Sequence, residues 1–137
     1  MKQHLTGLKF KEIYGTEFYK ILKNDLCHHN FQYVEGENID TIKFNPSGSC
    51  SPGGLYFTNL KNIYYFLNYG KKVCQVIIDD DSLVYIENEN DTNITYFKAN
   101  KIIIKNIQMI NYDSYLFNTL NKDEIAVMQY GLAIKYK

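Results

Sequence analysis

The sequence contains no arginine and no tryptophan, so all 15 of its basic residues are lysines. Arginine is the residue that proteins favour for bidentate contacts to phosphate and for reading base edges. Fifteen acidic residues balance the lysines and leave a formal net charge of zero, so no excess of positive charge attracts a polyanion. The composition therefore predicts that nucleic acid is not a partner of this chain.

Long apolar runs are also lacking. No stretch approaches the roughly 18 consecutive apolar residues that indicate a membrane span, and the N-terminal residues lack the apolar run of a signal peptide. The three cysteines are an odd number, which fits a reducing compartment better than a framework of disulfides. We therefore expect an intracellular protein that does not contact a membrane.

The chain length bounds the architecture. At 137 residues the chain fits one domain, which can bury about two thirds of its unfolded surface and needs no disulfide or metal to fold. The pattern divides into a lead-in arm at residues 1–16, a core at residues 17–110 and a helical C-terminal extension at residues 111–137. No internal repeat or linker splits it, so the sequence predicts a single domain.

The clearest pattern is the segment Gly48–Gly70. Its first part is dense in glycine, serine and proline, which predicts a loop where Gly53 and Gly54 can adopt positive φ. Leu55–Phe57 then predicts a short strand, and Asn59–Tyr69 a helix that ends at the last glycine of the segment. The helix carries apolar residues at α-helical spacing, which predict one buried face: Leu60, Ile63, Tyr64 and Leu67.

Short runs rich in β-branched and aromatic residues predict strands elsewhere. These runs are Glu17–Leu22, Phe31–Val34, Ile39–Phe44, Val73–Ile78, Leu83–Ile86, Thr95–Lys98 and Lys101–Ile110. The predicted fold class is α+β: a mixed, mostly antiparallel sheet of about five or six short strands, one packed helix at Asn59–Tyr69, and C-terminal helical structure. We expect Ile63 and Leu67 to face Val76, Ile78 and the strand that carries residues 102–104.

The order of several short motifs resembles one known domain: FYKIL, CHHNFQYVEGENID, FNPSGSCSPGGLYFT, NIYYFLNYG and KANKIII. It is similar to the domain at the N-termini of ankyrin-repeat proteins of mimivirus-like giant viruses, which has relatives in phages and bacteria. The resemblance covers about residues 19–105. It implies a viral protein in the host-cell cytoplasm, with no activity to carry over. No ankyrin repeat follows in this sequence, so we expect the domain to act alone or by association.

A second likeness concerns chemistry. The residues Gly54–Phe57, followed by a helix, are similar to the glycine, tyrosine and phenylalanine motif of diphtheria-toxin-like ADP-ribosyltransferases. That resemblance implies NAD as cofactor, with Tyr56 stacked on nicotinamide and His28 or His29 in contact with the ribose. It breaks at the acid, because those enzymes place a glutamate near a late strand, where this chain has Ala99–Ile102.

Two glutamates, Glu87 and Glu89, lie in a different loop and could supply that acid only if the loop folds toward the strand tyrosine. We therefore favour a non-enzymatic protein-interaction module with an unknown protein partner and no cofactor. The alternative is an active or degenerate ADP-ribosyltransferase-like protein that binds NAD through Tyr56, His28 and His29. The residues predicted to bind a partner are Gly53, Gly54, Tyr56, Phe57 and His29.

The cysteines and histidines allow three interpretations. They could form a nucleophile and base, a zinc site, or a structural group; the members are Cys27, Cys50, Cys74, His28 and His29. Zinc ligands usually come in close pairs, and these cysteines are far apart in the chain, so the spacing favours a structural role. The run Asp79–Asp81 lacks the glycine-punctuated loop of a calcium site and predicts a solvated strand end.

Overall fold

The computed structural model describes residues 4–28, 31–46, 53–88 and 94–110. Within these ranges the chain forms ten strands, one α-helix and one 3₁₀ helix. In chain order they are β1 (Leu5–Thr6), α1 (Gly7–Tyr14), β2 (Phe18–Leu22), β3 (Cys27–His28), β4 (Phe31–Gln32), β5 (Gly36–Ile39), β6 (Leu55–Asn59), the 3₁₀ helix (Leu60–Tyr69), β7 (Lys72–Ile77), β8 (Leu83–Asn88), β9 (Thr95–Ala99) and β10 (Lys101–Met109).

Eight of these strands form one sheet, in the order β1-β8-β9-β6-β2-β7-β10-β5, and β3 and β4 form a separate two-stranded sheet. Each described pair is antiparallel. The ladder between β2 and β6 contains the pairs Phe18–Asn59 and Tyr19–Thr58, whereas β2 pairs with β7 along its whole length. The sheet therefore opens between β2 and β6 beyond Tyr19.

The predicted fold class is wrong in its sheet and in its helices. The sheet has eight strands rather than five or six and is antiparallel in every described pair, not mixed. The described residues form mainly a large antiparallel sheet with two short helices, which does not fit a fold with extensive helical structure at the C-terminus. Residues 111–137, where that helical structure was predicted, lie outside the described part. Strands as short as Leu5–Thr6 carry too little alternation to be found in a sequence, because pairing with Leu83 and Val84 defines them.

The sheet has two faces with different packing. The α1 face carries a cluster of rings in which Phe10 of the helix lies 4.9 Å from Phe18 and 4.8 Å from Phe97, centroid to centroid. Aromatic pairs at this separation add to the free energy gained by burying apolar area. The opposite face, which we call the 3₁₀ face, packs against the 3₁₀ helix. The two helices therefore cover opposite sides of the sheet.

The helix predicted at Asn59–Tyr69 is confirmed in position but is a 3₁₀ helix. The side chain of Asn59 caps it by accepting a hydrogen bond from the Asn62 backbone N–H. Ile63 and Leu67 are buried, as expected, but they pack against Ile21 and Val73 rather than the predicted partners. Of the predicted partners, Val76, Ile78, Ile102 and Ile104 belong to the cluster on the α1 face.

Residues 1–16, predicted as an irregular arm, contain β1 and α1. The hydroxyl of Thr6 caps α1 by accepting a hydrogen bond from the Lys9 backbone N–H. Phe10 is fully buried, and Gly7 lies so close to the sheet that a Cβ there would sit 1.7 Å from the Asp79 carbonyl oxygen. The helix was missed because it buries only one large apolar side chain and so has little helical periodicity.

Candidate functional site

A cleft opens between the 3₁₀ helix and the 3₁₀ face, where β2 and β6 separate. Its volume is about 90 Å³. We call it the aromatic cleft because six rings line it: Tyr19, His28, Tyr56, Phe66, Tyr69 and Tyr96. Concave sites with apolar and aromatic walls are where proteins bind ligands and partner side chains. The aromatic cleft is therefore the candidate site of this chain.

Strand alternation places three of these rings. In β6 the side chains of Leu55 and Phe57 enter the core on the α1 face, so Tyr56 between them points to the 3₁₀ face. The register pairs Phe57 with Phe97, which puts the neighbouring Tyr96 on the same face as Tyr56. The centroids of the Tyr56 and Tyr96 rings are 5.8 Å apart, so the two side chains form one wall of the cleft.

The 3₁₀ helix supplies the opposite wall. A 3₁₀ helix has three residues per turn, so side chains three apart lie directly above one another. That period places Ile63, Phe66 and Tyr69 in one row, and all three line the cleft. The Phe66 ring lies 5.7 Å from the Tyr96 ring and 5.7 Å from the Tyr69 ring, which closes the cleft on this side.

Lys20 crosses the gap between the separated strands. Its Nζ donates a 2.5 Å hydrogen bond to the Tyr56 carbonyl oxygen and lies 4.7 Å from the centroid of the Tyr33 ring. The residue is 5% exposed. Burial lowers the pKa of the Lys20 amine to about 8, an effect that the nearby Cys74 thiol partly opposes. A cation thus holds the Tyr56 backbone where the ladder hydrogen bonds end.

Lys98 pairs with Tyr56 in the ladder between β6 and β9 and lies on the same face of the sheet. Its side chain is the reason that residue 54, just before β6, is a glycine. Its Nζ donates to the Asn45 carbonyl oxygen at 2.7 Å and lies 5.6 Å from the Tyr56 ring centroid. A Cβ on Gly54 would sit 2.1 Å from the Lys98 Cγ, and φ at Gly54 is +153°. The Gly54 N–H donates to an Asp40 carboxylate oxygen at 2.7 Å. Gly54 is thus a glycine because Lys98 passes against its backbone.

Acidic side chains do not line the described part of the aromatic cleft. Glu87 lies on the same face, opposite Tyr96 in the ladder between β8 and β9. It is 7% exposed, and its Oε1 atom has no hydrogen-bond partner among the described residues. Burial lowers the pKa of the Lys98 amine, and Glu87 contributes an opposing upward shift. Glu87 is therefore beside the tyrosine wall rather than inside the cleft.

The positions aligned with the missing acid are structural. The Asn100 side chain accepts a hydrogen bond from the Leu83 backbone N–H at 2.8 Å. The Lys101 ammonium pairs with Asp81 at 2.9 Å and with Asp79 at 3.4 Å, and these carboxylates raise the pKa of its amine. The aspartate run predicted as a solvated strand end is thus partly neutralised by lysines, including a 2.7 Å pair between Lys11 and Asp80.

Two of the predicted site residues meet in the cleft, namely Tyr56 and His28. Phe57 borders it, although its ring is buried on the α1 face. Gly53 precedes β6 with positive φ and close to the Lys43 carbonyl oxygen, so its described role is backbone geometry. His29 lies outside the described residues. Four of the aromatic residues that line the cleft were not predicted from the sequence: Tyr19, Phe66, Tyr69 and Tyr96.

The structure separates the described cysteines. Cys27 is half-buried in β3, whereas Cys74 is buried in β7 and its thiol contacts the Lys20 carbonyl oxygen at 3.6 Å. Burial raises the pKa of the Cys74 thiol to about 12, which keeps it protonated and unreactive at neutral pH. Among residues 4–28, 31–46, 53–88 and 94–110, no group of three or more His, Cys, Asp or Glu could hold a metal ion. Cys50 lies outside these ranges.

Comparison with known proteins finds relatives in Acanthamoeba polyphaga mimivirus. The chain is 35% identical over 103 residues to "Putative ankyrin repeat protein R868", a match that covers 72% of this chain and 50% of that protein. A second protein with the same kind of name, R896, is 40% identical over 72 residues, with coverage of 52% and 21%. "Uncharacterized protein R869" is 37% identical over 67 residues, with coverage of 47% and 49%. The chain spans about half or less of the length of these relatives.

No family model matches the chain, and no solved structure matches it. The helices in the described residues include none that is long and apolar enough to cross a membrane. The likeness to ADP-ribosyltransferases finds no support in these comparisons. The likeness to giant-virus proteins is confirmed: this chain is a homologue of mimivirus proteins named as ankyrin-repeat or uncharacterised proteins, at 34–40% identity.

Proposed function

We propose that this chain is a non-enzymatic protein-interaction module and that the aromatic cleft is where it binds its partner. The observation that carries the proposal is the concentration of rings in one open concavity: Tyr19, His28, Tyr56, Phe66, Tyr69 and Tyr96. Tyrosine is enriched at the centres of protein interfaces, where it supplies contact area with little conformational entropy to lose. The mimivirus relatives named as ankyrin-repeat proteins are consistent with such a role, which we place in the host-cell cytoplasm.

The size of the cleft favours a side chain over a whole cofactor. Sites that bury a small-molecule ligand usually enclose about 300 to 1,000 Å³, whereas the aromatic cleft has about 90 Å³. A volume of that size receives one side chain of a partner protein, and the remainder of the interface would lie on the surrounding surface. Tyr69, which lines the cleft, is 49% exposed and extends the apolar area onto the surface.

The alternative is an NAD-binding protein with an ADP-ribosyltransferase-like site. Tyr56 and His28 share the cleft, which is the pair that this alternative requires. A transferase also needs a carboxylate where positive charge develops on the ribose, because a preorganised counter-charge is usually its largest catalytic contribution. The described lining has none. We therefore rank NAD binding second and make it an outcome of the test.

The proposal can be tested by NMR titration of the isotope-labelled protein. The probes are short peptides that carry a single phenylalanine, the matched peptides with alanine in its place, and NAD. We expect the phenylalanine peptides to shift the resonances of cleft residues in a saturable way and the alanine peptides to leave them unchanged. Phe66→Ala should abolish this binding, whereas Tyr14→Ala on the opposite side of the sheet, where Tyr14 is 39% exposed, should preserve it.

A different pattern would contradict the proposal. Saturable binding of NAD at the cleft, with no response to the phenylalanine peptides, would favour the alternative. Incubation with labelled NAD and host-cell extract then distinguishes an active enzyme from a degenerate one. Transfer of label that is lost in Tyr56→Ala would establish a transferase, and its loss in Glu87→Gln would identify the missing acid.

A further inference from the structure

We infer that the aromatic cleft recognises an acidic segment of a protein partner, with one aromatic side chain in the cleft and carboxylates on the lysines at its rim. This inference rests on the proposed function and names the chemistry of the partner. It is carried by the distribution of charge around the cleft, in which Lys23 and Lys71 stand side by side at one end.

The sheet register brings these two lysines together. The ladder between β2 and β7 ends at the pair Leu22–Lys72, so Lys23 and Lys71 are the first residues beyond the ends of these two strands. Both are exposed. They adjoin the cleft, because Ile21 and Tyr69, each two residues away, line it. A Cβ on Gly70 would sit 2.7 Å from the Lys23 backbone nitrogen, which shows how closely the end of the 3₁₀ helix approaches this strand.

Neither lysine is neutralised within the described part of the chain. The ion pairs that it contains involve Lys9, Lys11 and Lys101, all elsewhere. Two like charges just beyond the paired ends of neighbouring strands repel each other. A carboxylate bound between them would remove this repulsion. The described part of the sheet thus offers a pair of cations without a carboxylate partner of its own.

The lining of the cleft adds no opposing charge. Its described residues include no aspartate or glutamate, and the Lys20 ammonium lies on the other side of the strand, over the Tyr33 ring. The nearest acid along the chain at this end is Asp25, whose carboxylate accepts a hydrogen bond from the Cys27 backbone N–H. A cationic ligand such as a methylated lysine would meet unfavourable charge here, although aromatic cages otherwise suit it. Charge complementarity therefore selects an acidic partner segment.

The test compares peptides that differ only in flanking charge. The probes are a peptide with one phenylalanine flanked by glutamates, the same peptide with lysines, and the glutamate peptide with alanine in place of phenylalanine. Binding is measured by fluorescence anisotropy at low and high salt. We expect the glutamate peptide to bind at least about tenfold more tightly than the lysine peptide at low salt, and this difference to shrink at high salt because exposed charges are screened.

The double variant Lys23→Glu and Lys71→Glu should reverse the preference of the protein for the two flanking charges. The matched control is Lys9→Glu, an exposed lysine on α1 at the opposite side of the sheet, which should leave the preference unchanged. Circular dichroism and thermal melting of each variant separate loss of binding from loss of fold. Lys23→Gln with Lys71→Gln is a milder pair that should remove the preference without reversing it.

Each contrary outcome has a distinct meaning. If phenylalanine peptides bind equally whatever their flanking charge, the acidic-partner inference is wrong and the interaction cleft stands. If the alanine peptide binds as well as the phenylalanine peptide, the lysines act without the cleft and both ideas fail. If a polyuridine oligonucleotide binds with the same dependence on Lys23 and Lys71 and displaces the peptide, the partner is a nucleic acid, and the inference is overturned.

Discussion

The ammonium group of Lys20 lies where β2 and β6 separate, between the Tyr56 carbonyl oxygen and the Tyr33 ring. Burying a cation without a carboxylate costs free energy, which appears as a lowered pKa of the amine. The same cation carries a hydrogen bond that the backbone cannot make across the gap. Lys20 therefore lowers the free energy of unfolding at neutral pH, while its hydrogen bond holds the Tyr56 backbone at the open edge beside the aromatic cleft.

The pH dependence of stability should report this burial. The pKa of Lys20 is about 8 in the folded protein, against 10.5 for an ordinary lysine. Between these values the unfolded chain binds more protons, so the free energy of unfolding rises with pH. Below about pH 8 both states are protonated and the contribution is constant. We expect the wild type to gain about 1 kcal/mol relative to Lys20→Met between pH 8 and 9, measured by urea denaturation.

The control is Lys9→Met, an exposed position, which should show no such gain. The window stops at pH 9 because the pKa of Cys74 is raised from 9.0 to about 12. A raised thiol pKa makes stability fall as the pH rises above the ordinary cysteine value, which opposes the lysine effect. Equal pH profiles for the wild type and Lys20→Met would show that Lys20 is not buried as a base.

Gly70 shows a second residue-scale constraint, since its φ of 178° is ordinary extended backbone. What requires glycine there is space, because a Cβ would lie 2.1 Å from the Leu22 carbonyl oxygen. We expect Gly70→Ala to lower the free energy of unfolding by about 1 to 3 kcal/mol through overpacking. Gly15→Ala shows the other kind of constraint: nothing lies within 4 Å, but φ is +84° and ψ is −160°, so backbone strain of about 1 to 3 kcal/mol opposes it without any steric contact. Unfolding of Gly70→Ala in urea at the same midpoint as the wild type would contradict the close approach.

At the scale of elements, the 3₁₀ helix both lines the aromatic cleft and packs against the same face of the sheet. Its period of three presents Phe66 and Tyr69 to the cleft, while Ile63 and Leu67 pack against the sheet. In an α-helix, which has 3.6 residues per turn, the side chains of Phe66 and Tyr69 would not lie directly above one another. The helix type therefore determines the composition of the candidate site.

Leu67 tests how firmly this element is held. It is 5% exposed and packs in a cluster with Ile21, Ile63 and Val73. We expect Leu67→Ala to lower the free energy of unfolding by about 2 to 5 kcal/mol, because it removes buried apolar atoms and leaves a cavity. Tyr65→Ala on the same helix is the control, since Tyr65 is 44% exposed and should change stability little. Thermal melting in which the two variants behave alike would remove this helix from the core.

At the scale of the whole molecule, packing on both faces of one sheet stabilises the fold. The α1 face gathers Phe10, Phe18, Phe57 and Phe97, and the 3₁₀ face is covered by its own helix. Each layer buries a separate apolar cluster, which is the usual source of stability for a domain of this length.

We accordingly predict that folding does not require zinc. Elemental analysis of protein purified under reducing conditions should find no stoichiometric zinc, and a chelator should leave the melting temperature unchanged. The physical reason is the separation of Cys27 in β3 from the buried Cys74 in β7. One zinc per chain with unfolding on chelation would contradict this and would make ligands of the cysteines and histidines, since metal binding is then coupled to folding.

Much of the fold was predictable because strands and helices of sufficient length leave a periodic trace. Alternation in Glu17–Leu22 and the apolar run Val73–Ile78 correctly predicted β2 and β7, and turn and cap residues correctly located the helix after Asn59. The sequence does not predict β1 or β5 as strands, because these short segments are strands only through pairing with residues far away in the chain. Helix α1 was missed because one buried ring makes no period.

The sequence by itself determined which residues alternate, and hence that Tyr56 and Phe57 point to opposite faces of β6. The lack of arginine and the net charge of zero, on which the argument against a nucleic-acid partner rests, are likewise properties of the sequence alone. Only the tertiary structure decided that the sheet opens beside Tyr56, that the helix is 3₁₀, and that Lys23 adjoins Lys71. These features arise from pairing and packing between residues far apart in the chain, and local propensity carries no information about such contacts.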